Sequence, residues 1–188
     1  EQEWDDVLSV HLKGTFSVVK ASLSHFIKQR FGRIITFSSV SGLYGYGGQS
    51  NYGAAKEGIS GFTKSLSKEL YKYGITANII SPGAKTRMTE SVPKTTLSMR
   101  NGDFKIPADI ISNHPSQVPP MIAWLASDAS SNVTGKIFHC VGNRISLMKN
   151  PTEYRSISKK TKWFPEEIAG IFPETIGMDL INPAPISE

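Results

Sequence analysis

The pattern of hydrophobic and polar residues changes period several times along this chain, and each change predicts a structural element. A short β-branched run at 33–37 predicts a buried strand, and similar runs at 75–81 and 136–141 predict two more. After Gln49, apolar residues recur at three- and four-residue spacing, which predicts a long amphipathic helix closed by Gly74 in the left-handed conformation. Helices that alternate with strands favour an α/β fold.

Two further helices are predicted on either side of this central region. The first occupies residues 1–30, with Asp5 or Asp6 as its N-cap. The second follows Ser116, a residue type that caps helices well. Its two prolines are tolerated because they fall in the first turn, where backbone N–H groups have no helical partner.

Composition narrows the classes of protein that this chain can represent. The 188 residues are 39% hydrophobic, which is enough for a core, and no run of 18 apolar residues suggests a membrane span. The net charge is +5, but the lysines and arginines are dispersed, so we expect no nucleic-acid site. Cys140 is the only cysteine, which favours a reducing, intracellular compartment, and the four histidines are too scattered to predict a metal site.

Three polar side chains are placed to meet at the end of the first predicted strand. Ser39 follows that strand, and Tyr52 and Lys56 lie one turn apart on the same face of the long helix. A phenol alone is a poor base at neutral pH, but a neighbouring ammonium group favours the phenolate. Tyr52 would then exchange a proton with a substrate oxygen held by Ser39. Such a site interconverts an alcohol and a ketone, and it requires a redox cofactor because it supplies no hydride.

The order of these features is more specific than the features alone. A Tyr-x-x-x-Lys spacing by itself is also typical of an exposed helical pair. Here it follows a strand, a Ser-Ser pair and a glycine-rich loop, and this order resembles the short-chain dehydrogenase/reductase family. The resemblance implies a Rossmann-like, doubly wound parallel sheet, of which this sequence holds only the later strands and helices. It also implies NAD or NADP as cofactor, Tyr52 as general acid/base, Lys56 bound to the cofactor ribose and Ser39 orienting the carbonyl.

The same resemblance assigns roles to other positions. His11 stands where most members have an asparagine, and it would either assist a proton relay or simply pack within its helix. Pro82, Gly83 and Thr86 correspond to the loop that contacts the nicotinamide end of the cofactor, although Pro82-Gly83 alone is also typical of a turn. Residues 91–112 correspond to the variable substrate-side segment, which is often a mobile lid.

The resemblance also divides the chain. Residues 1–145 match the C-terminal part of a short-chain dehydrogenase domain, and 146–188 form a proline-interrupted extension in which Pro165 is placed to start a short helix. The glycine-rich turn that binds the cofactor pyrophosphate is not found, so the sequence does not indicate a preference between NAD and NADP. Because the strand at 33–37 would carry an unpaired edge, we expect these residues to be part of a longer chain.

Three segments narrow the resemblance further. The residues around His11, the loop before Tyr52 and residues 86–90 together resemble the (3R)-hydroxyacyl-CoA dehydrogenase part of peroxisomal multifunctional β-oxidation enzymes and their bacterial relatives. This implies a 3-hydroxyacyl thioester substrate, a cytoplasmic location (peroxisomal in a eukaryote), and a homodimer or homotetramer formed through the helices at 4–30 and 50–73. The alternative is a non-catalytic binding or dimerisation lobe, because the phosphate-binding part is not in the sequence.

Overall fold

The computed structural model describes residues 1–91 and 113–180 of the chain. Contacts divide the chain into two compact units, Glu1–Lys149 and Asn150–Glu188. Apart from Ser91, the segment expected to form a substrate-side lid lies outside the described residues. Among the helices that are described, none combines the length and the apolar character needed to cross a bilayer.

The first unit is built on a sheet whose first three strands run parallel. They are β1 (Gly32–Phe37), β2 (Ile75–Gly83) and β3 (Ile137–Val141), and they lie side by side in chain order. Residues 75 to 81 of β2 are all buried, as expected of a central strand covered on both faces. The α/β fold with a parallel sheet, predicted from the hydrophobic runs, is confirmed.

A fourth strand was not predicted. Strand β4 (Arg144–Met148) pairs antiparallel with β3 through a two-residue turn, in which Gly142 has φ 53° and so adopts the left-handed conformation. The turn residues Gly142 and Asn143 lie between two β-rich runs, and Gly-Asn in such a position is a recognised hairpin signal. The expected end of the domain at residue 145 falls inside this strand, and the first compact unit continues to Lys149.

Helices and short turns connect these strands. The first helix spans residues 2–29 and consists of α1, a π turn and α2 in succession. The bounds are α1 Gln2–Leu8, π turn Ser9–Lys13, α2 Gly14–Gln29, α3 Val40–Leu43, α4 Ser50–Leu70, α5 Arg87–Glu90, α6 Pro119–Ala126 and α7 Pro165–Ile171, with 3-10 turns at Tyr71–Tyr73, Pro115–Gln117, Asp128–Ser130 and Phe172–Glu174.

The predicted positions of the helices hold better than the predicted caps. Neither Asp5 nor Asp6 caps the first helix, because it already begins at Gln2. Ser116 does not cap α6 either: the His114 ring nitrogen Nδ1 accepts the Ser116 N–H at 3.3 Å and caps the 3-10 turn that precedes α6. An added helical turn at the first helix and a 3-10 turn before α6 displace both caps from the predicted residues.

Two apolar clusters hold the first unit together, one on each face of the sheet. The first joins α2 and α4 to β1 and β2, and its buried members are Val19, Ile34, Leu66, Leu70, Ile75 and Ala77. The second joins α6 to the opposite face, and its members are Ile80, Val118, Met121, Leu125 and Cys140. Ile34 and Ile35 contribute to different clusters, because successive side chains of a strand point to opposite faces. The result is a sheet between two helical layers.

Buried hydroxyl groups join β1 to α4 beside the first cluster. The Oγ1 atoms of Thr36 and Thr63 lie 2.8 Å apart, and the Ser60 hydroxyl donates to the Ser38 Oγ at 3.0 Å. Ser38 in turn donates to the carbonyl oxygen of Lys56 at 2.9 Å. These four hydroxyl residues, Thr36, Ser38, Ser60 and Thr63, are here called the hydroxyl seam. Because buried polar groups require partners, the seam fixes one register of α4 against β1.

The second unit, described from Asn150 to Leu180, is organised around α7. This helix begins at Pro165, as the sequence predicted. The Glu167 carboxylate accepts the Phe164 N–H at 2.8 Å and forms an ion pair with Lys159. The ammonium of Lys159 also lies 4.8 Å from the centroid of the Trp163 ring. The proline and these contacts define where α7 starts.

Gly74 and Gly61 provide opposite tests of this backbone. Gly74 has φ 75°, and a Cβ there would lie 2.5 Å from the carbonyl oxygen of Arg30. Gly61 lies within α4, and a Cβ there meets nothing within 4 Å. We expect Gly74→Ala to lower the free energy of unfolding by at least about 2 kcal/mol, because it adds left-handed strain to a clash.

Gly61→Ala is the matched control and should raise the free energy of unfolding by about 0.5–1 kcal/mol, because alanine loses less backbone entropy in a helix. Urea unfolding followed by circular dichroism measures both variants. Equal effects of the two substitutions would contradict the backbone geometry described for Gly74.

Candidate active site

The candidate site is centred where the first helix contacts α4. His11 lies in the π turn of the first helix, and its ring meets the ring of Tyr52 edge-on, with centroids 5.3 Å apart and planes at 81°. A π turn is rare and occurs often at functional sites. The structure thus brings together two of the residues that the sequence singled out in separate segments.

Lys56 is attached at both ends to the last residues around β1. Its own carbonyl oxygen accepts the Ser38 hydroxyl, and its ammonium Nζ donates to the carbonyl oxygen of Phe37 at 3.1 Å. The same Nζ lies 5.5 Å from the centroid of the Tyr52 ring. Tyr52 and Lys56 therefore share one face of α4, as their spacing indicated.

The surroundings of this site lower the pKa values of both of its bases, Lys56 and His11. Burial lowers the pKa of the Lys56 ammonium below its usual range. Burial also lowers the pKa of His11, and the positive charge of Lys56 lowers it further. The His11 imidazole is therefore neutral near pH 7, and in that state it has one nitrogen that donates and one that accepts a proton.

Ser39 lies on the loop that leaves β1. It is the N-cap residue of α3, and its Oγ accepts the N–H of Ser41 at 3.2 Å. Within the described residues no hydrogen bond joins Ser39 to Tyr52 or Lys56. The role of Ser39 as the group that orients a carbonyl stays a prediction.

Two glycines allow this loop to pack directly on α4. A Cβ on Gly42 would lie 2.8 Å from the backbone nitrogen of Glu57, and a Cβ on Gly53 would lie 3.0 Å from the carbonyl oxygen of Ser41. Both distances are shorter than ordinary side-chain contacts, so any larger residue would push the loop away from the helix. The glycines thus hold the loop that carries Ser39 against the helix that carries Tyr52.

The residues predicted to contact the nicotinamide lie at the end of β2. Pro82 and Gly83 close that strand, and a Cβ on Gly83 would lie 2.9 Å from a methyl group of Val141. The hydroxyl of Thr86 caps α5 by accepting the Thr89 N–H at 3.3 Å. Packing and capping account for Gly83 and Thr86 locally, and the contact of all three with a cofactor stays a prediction.

A cavity of about 450 Å³ lies between the first helix and β1. His11 and Lys56 line it, together with Val18, Ile35 and Phe37, whereas Tyr52 and Ser39 do not. One of its walls is the edge of β1 that, among the described residues, pairs with no other strand. The cavity is therefore a groove along a strand, and it coincides with the reactive side chains only at His11 and Lys56.

The residues present fit one end of a nicotinamide dinucleotide. Lys56 carries three ammonium donors, of which the described contacts use one, and the Tyr52 side chain lies beside it. Two such polar groups suit the hydroxyls of a ribose. A strand, glycine-rich turn and helix that would bind the pyrophosphate are not found in the parts of the chain that the structure describes. The fit is thus to the ribose and nicotinamide end.

Comparison with known proteins defines the class. A family model described as enoyl-(acyl carrier protein) reductase, of the short-chain dehydrogenase type, matches residues 1–142. The chain belongs to the short-chain dehydrogenase/reductase family, as the order of its motifs indicated.

Particular relatives confirm the narrower resemblance. The chain is 37% identical over 150 residues to the peroxisomal hydratase-dehydrogenase-epimerase of Neurospora crassa, which covers 79% of the chain and 15% of that protein. It is 41% identical over 146 residues to the 3-oxoacyl-[acyl-carrier-protein] reductase of Thermotoga maritima, which covers 77% of the chain and 58% of that protein.

A solved structure confirms the fold. The crystal structure of a short-chain dehydrogenase from Mycobacterium avium superposes with a TM-score of 0.77 at 33% identity, covering 99% of this chain and 61% of that one. This chain therefore spans less than two thirds of the length of each of these relatives.

Sequence reasoning missed the features that position the site. The π turn was predicted as ordinary helix, and the roles of Gly42 and Gly53 in loop packing were not recognised. The hydroxyl seam left a readable signal, because Ser60 and Thr63 interrupt the apolar stripe of α4 on its buried face. Polar residues at apolar positions of a helix indicate buried hydrogen bonds.

The charge of Lys56 provides a test of this electrostatic arrangement. We expect the pKa of His11, measured by NMR titration of its ring signals, to lie below the usual histidine value and to rise in Lys56→Met. The rise should be partial, because burial is the larger cause of the shift. His11→Gln assigns the signal, and the exposed Lys85→Met serves as control.

The same shift predicts how stability depends on pH. Because the pKa of His11 is lowered in the folded state, the folded protein binds this proton more weakly than the unfolded chain does. We therefore expect His11 to lower the free energy of unfolding as the pH falls through the unfolded pKa towards the lowered folded pKa. An unchanged His11 titration in Lys56→Met would contradict the described proximity.

Proposed function

We propose that this chain carries the proton-transfer part of an NAD(P)-dependent oxidoreductase that interconverts a secondary alcohol and a ketone by hydride transfer. The observation that carries the proposal is the convergence of Tyr52, Lys56 and His11 at one end of the sheet. Family membership supports the same reaction class. The end of a parallel sheet is also where open α/β folds bind their ligands.

Each side chain has a role in the proposed mechanism. Tyr52 takes the proton of the substrate hydroxyl in one direction and returns it to the carbonyl oxygen in the other. The ammonium of Lys56 stabilises negative charge on the Tyr52 oxygen and, with Tyr52, would hold the cofactor ribose. When bound, NAD or NADP supplies or accepts the hydride, with Pro82, Gly83 and Thr86 beside its nicotinamide end.

His11 and Ser39 complete the site. Because its imidazole is neutral and its ring touches Tyr52, His11 can pass the Tyr52 proton towards solvent. Ser39 holds the substrate oxygen by a hydrogen bond and shares its developing charge. In this scheme the proton is transferred through side chains of the protein, and the hydride is exchanged with the cofactor.

We further propose that the substrate is a 3-hydroxyacyl or 3-oxoacyl thioester. The Thermotoga relative is named as a reductase of 3-oxoacyl groups on acyl carrier protein, and the Neurospora relative as a peroxisomal multifunctional enzyme with a dehydrogenase part. The name of the Neurospora relative supports a peroxisomal compartment in a eukaryote, and we propose a cytoplasmic one otherwise. Rates with matched CoA and acyl-carrier-protein thioesters would decide between the two carriers.

Self-association through the first helix and α4 is part of the proposal. Phe16 of the first helix meets Phe62 of α4, with ring centroids 6.0 Å apart, and Phe16 is still 44% exposed. An exposed apolar surface of this kind marks an interaction site. We expect a dimer or tetramer by light scattering, and a monomer at micromolar concentration would contradict the proposal.

Removal of one oxygen atom tests the role of Tyr52. Tyr52→Phe keeps the ring and its contact with His11 but cannot transfer a proton. We expect turnover to fall at least about 100-fold, the usual contribution of general acid–base catalysis. Tyr71→Phe, at a half-exposed position beyond the end of α4, is the matched control and should leave turnover unchanged.

Fluorescence of bound NADH or NADPH separates this outcome from the non-catalytic alternative. Tyr52→Phe should still bind the cofactor while it loses turnover. Unchanged turnover in Tyr52→Phe would rule out the assigned role. A protein that neither binds the cofactor nor turns over a thioester would instead be a binding lobe.

A further inference from the structure

The carbonyl oxygen of His11 receives a side-chain hydrogen bond in addition to its place in the helix. The hydroxyl of Thr15, one turn further along, donates to this oxygen at 2.7 Å. Within the same π turn the N–H of Gly14 reaches back five residues to the carbonyl oxygen of Ser9. The hydroxyl of Thr15 is thus bonded to the backbone of His11, the residue of the π turn whose side chain contacts Tyr52.

We propose that Thr15 is a positioning residue for His11. Its hydroxyl stabilises the π turn and thereby sets the direction in which the imidazole points. The effect of Thr15 on catalysis rests on the proposed function, whereas its effect on the position of the His11 ring does not.

The first step of the argument is that the backbone sets the position of His11. Among the described residues the His11 ring makes no hydrogen bond, and its contact with Tyr52 is an edge-on ring contact. A contact of this type is weak and tolerates rotation. The orientation of the imidazole must therefore come from the helix that carries it.

The second step is that the π turn sets the rotation of this helix. One residue corresponds to about 100° around a helix, so an inserted residue turns every side chain before it by that angle relative to those after it. Without the insertion, His11 would leave the face that meets Tyr52. A single π turn therefore decides whether the two rings touch.

The third step is that Thr15 is suited to stabilise such a turn. A hydroxyl that bonds back to a carbonyl four residues earlier competes with the regular ladder and often bends the helix. The close approach of α4 to the first helix does not stabilise the π turn. A Cβ on Gly58 would lie 2.9 Å from the Leu12 side chain, which sets the distance between the helices and not the rotation of His11.

The helix contains its own control. Ser22 donates to the carbonyl oxygen of Val18 at 3.0 Å, with the same four-residue spacing, but in the regular part of α2. Removal of this hydroxyl should have no effect on His11. The comparison of Thr15→Val with Ser22→Ala therefore separates loss of a helical hydroxyl in general from loss of this one.

The experiment measures the NMR ring signals of His11, assigned with His11→Gln, in the protein and its variants. In Thr15→Val, which keeps the shape of the side chain, we expect these signals to lose the ring-current shift caused by Tyr52. The shift should be retained in Thr15→Ser, which keeps a hydroxyl group, and in Ser22→Ala, which keeps Thr15. Turnover should be roughly three- to tenfold lower in Thr15→Val, the value of one hydrogen bond, with KM unchanged.

Unchanged His11 signals in Thr15→Val would overturn the proposal, whatever the turnover. A failure of Thr15→Ser to restore the signals would overturn it as well, because a serine hydroxyl reaches the same carbonyl. If the protein turned over no thioester, the proposed function would fail while the ring signals still decided the role of Thr15. Should Thr15→Val fail to fold, Thr15→Ala carries the same test, since alanine is the strongest helix former.

Discussion

The hydroxyl seam between β1 and α4 is the interaction on which the rest of the site depends. Apolar packing alone would let a helix slide along a strand by a fraction of a turn, because methyl groups have no direction. The hydroxyls of Thr36 and Thr63, and of Ser38 and Ser60, meet in pairs and are buried, so a slide would leave several of them without partners. The seam thus fixes one register of α4 against β1, and this register determines the positions of Tyr52 and Lys56.

The seam also explains the unusual attachment of Lys56. Its backbone carbonyl is bonded to Ser38, and its ammonium reaches the carbonyl of Phe37, so one residue is tied at both ends to the same strand terminus. A side chain held in this way contributes a fixed charge. This charge acts on His11, whose pKa is lowered by burial and, further, by the positive charge of Lys56. Packing, hydrogen bonding and electrostatics therefore act on the same few residues.

The sequence predicted what local patterns determine and missed what tertiary contacts determine. The strand at 33–37 and the helix of Tyr52 were predicted because period and residue type set them directly. The hairpin to β4 was missed although Gly142 and Asn143 signalled it. The convergence of His11 with Tyr52 was expected only from the family resemblance, because the two lie 41 positions apart and a π turn, which no periodicity predicts, completes the contact.

The π turn has a consequence for how the first helix tolerates change. Its extra residue acts as a phase shift, so that α1 and α2 follow two separate helical repeats joined at Ser9–Lys13. This is why a single 3.6-residue period fits the apolar residues of the helix only in part. Substitutions on either side alter one contact each, whereas the gain or loss of one residue between 9 and 13 would put the two repeats out of step. The contact between His11 and Tyr52 therefore depends on the number of residues in this segment.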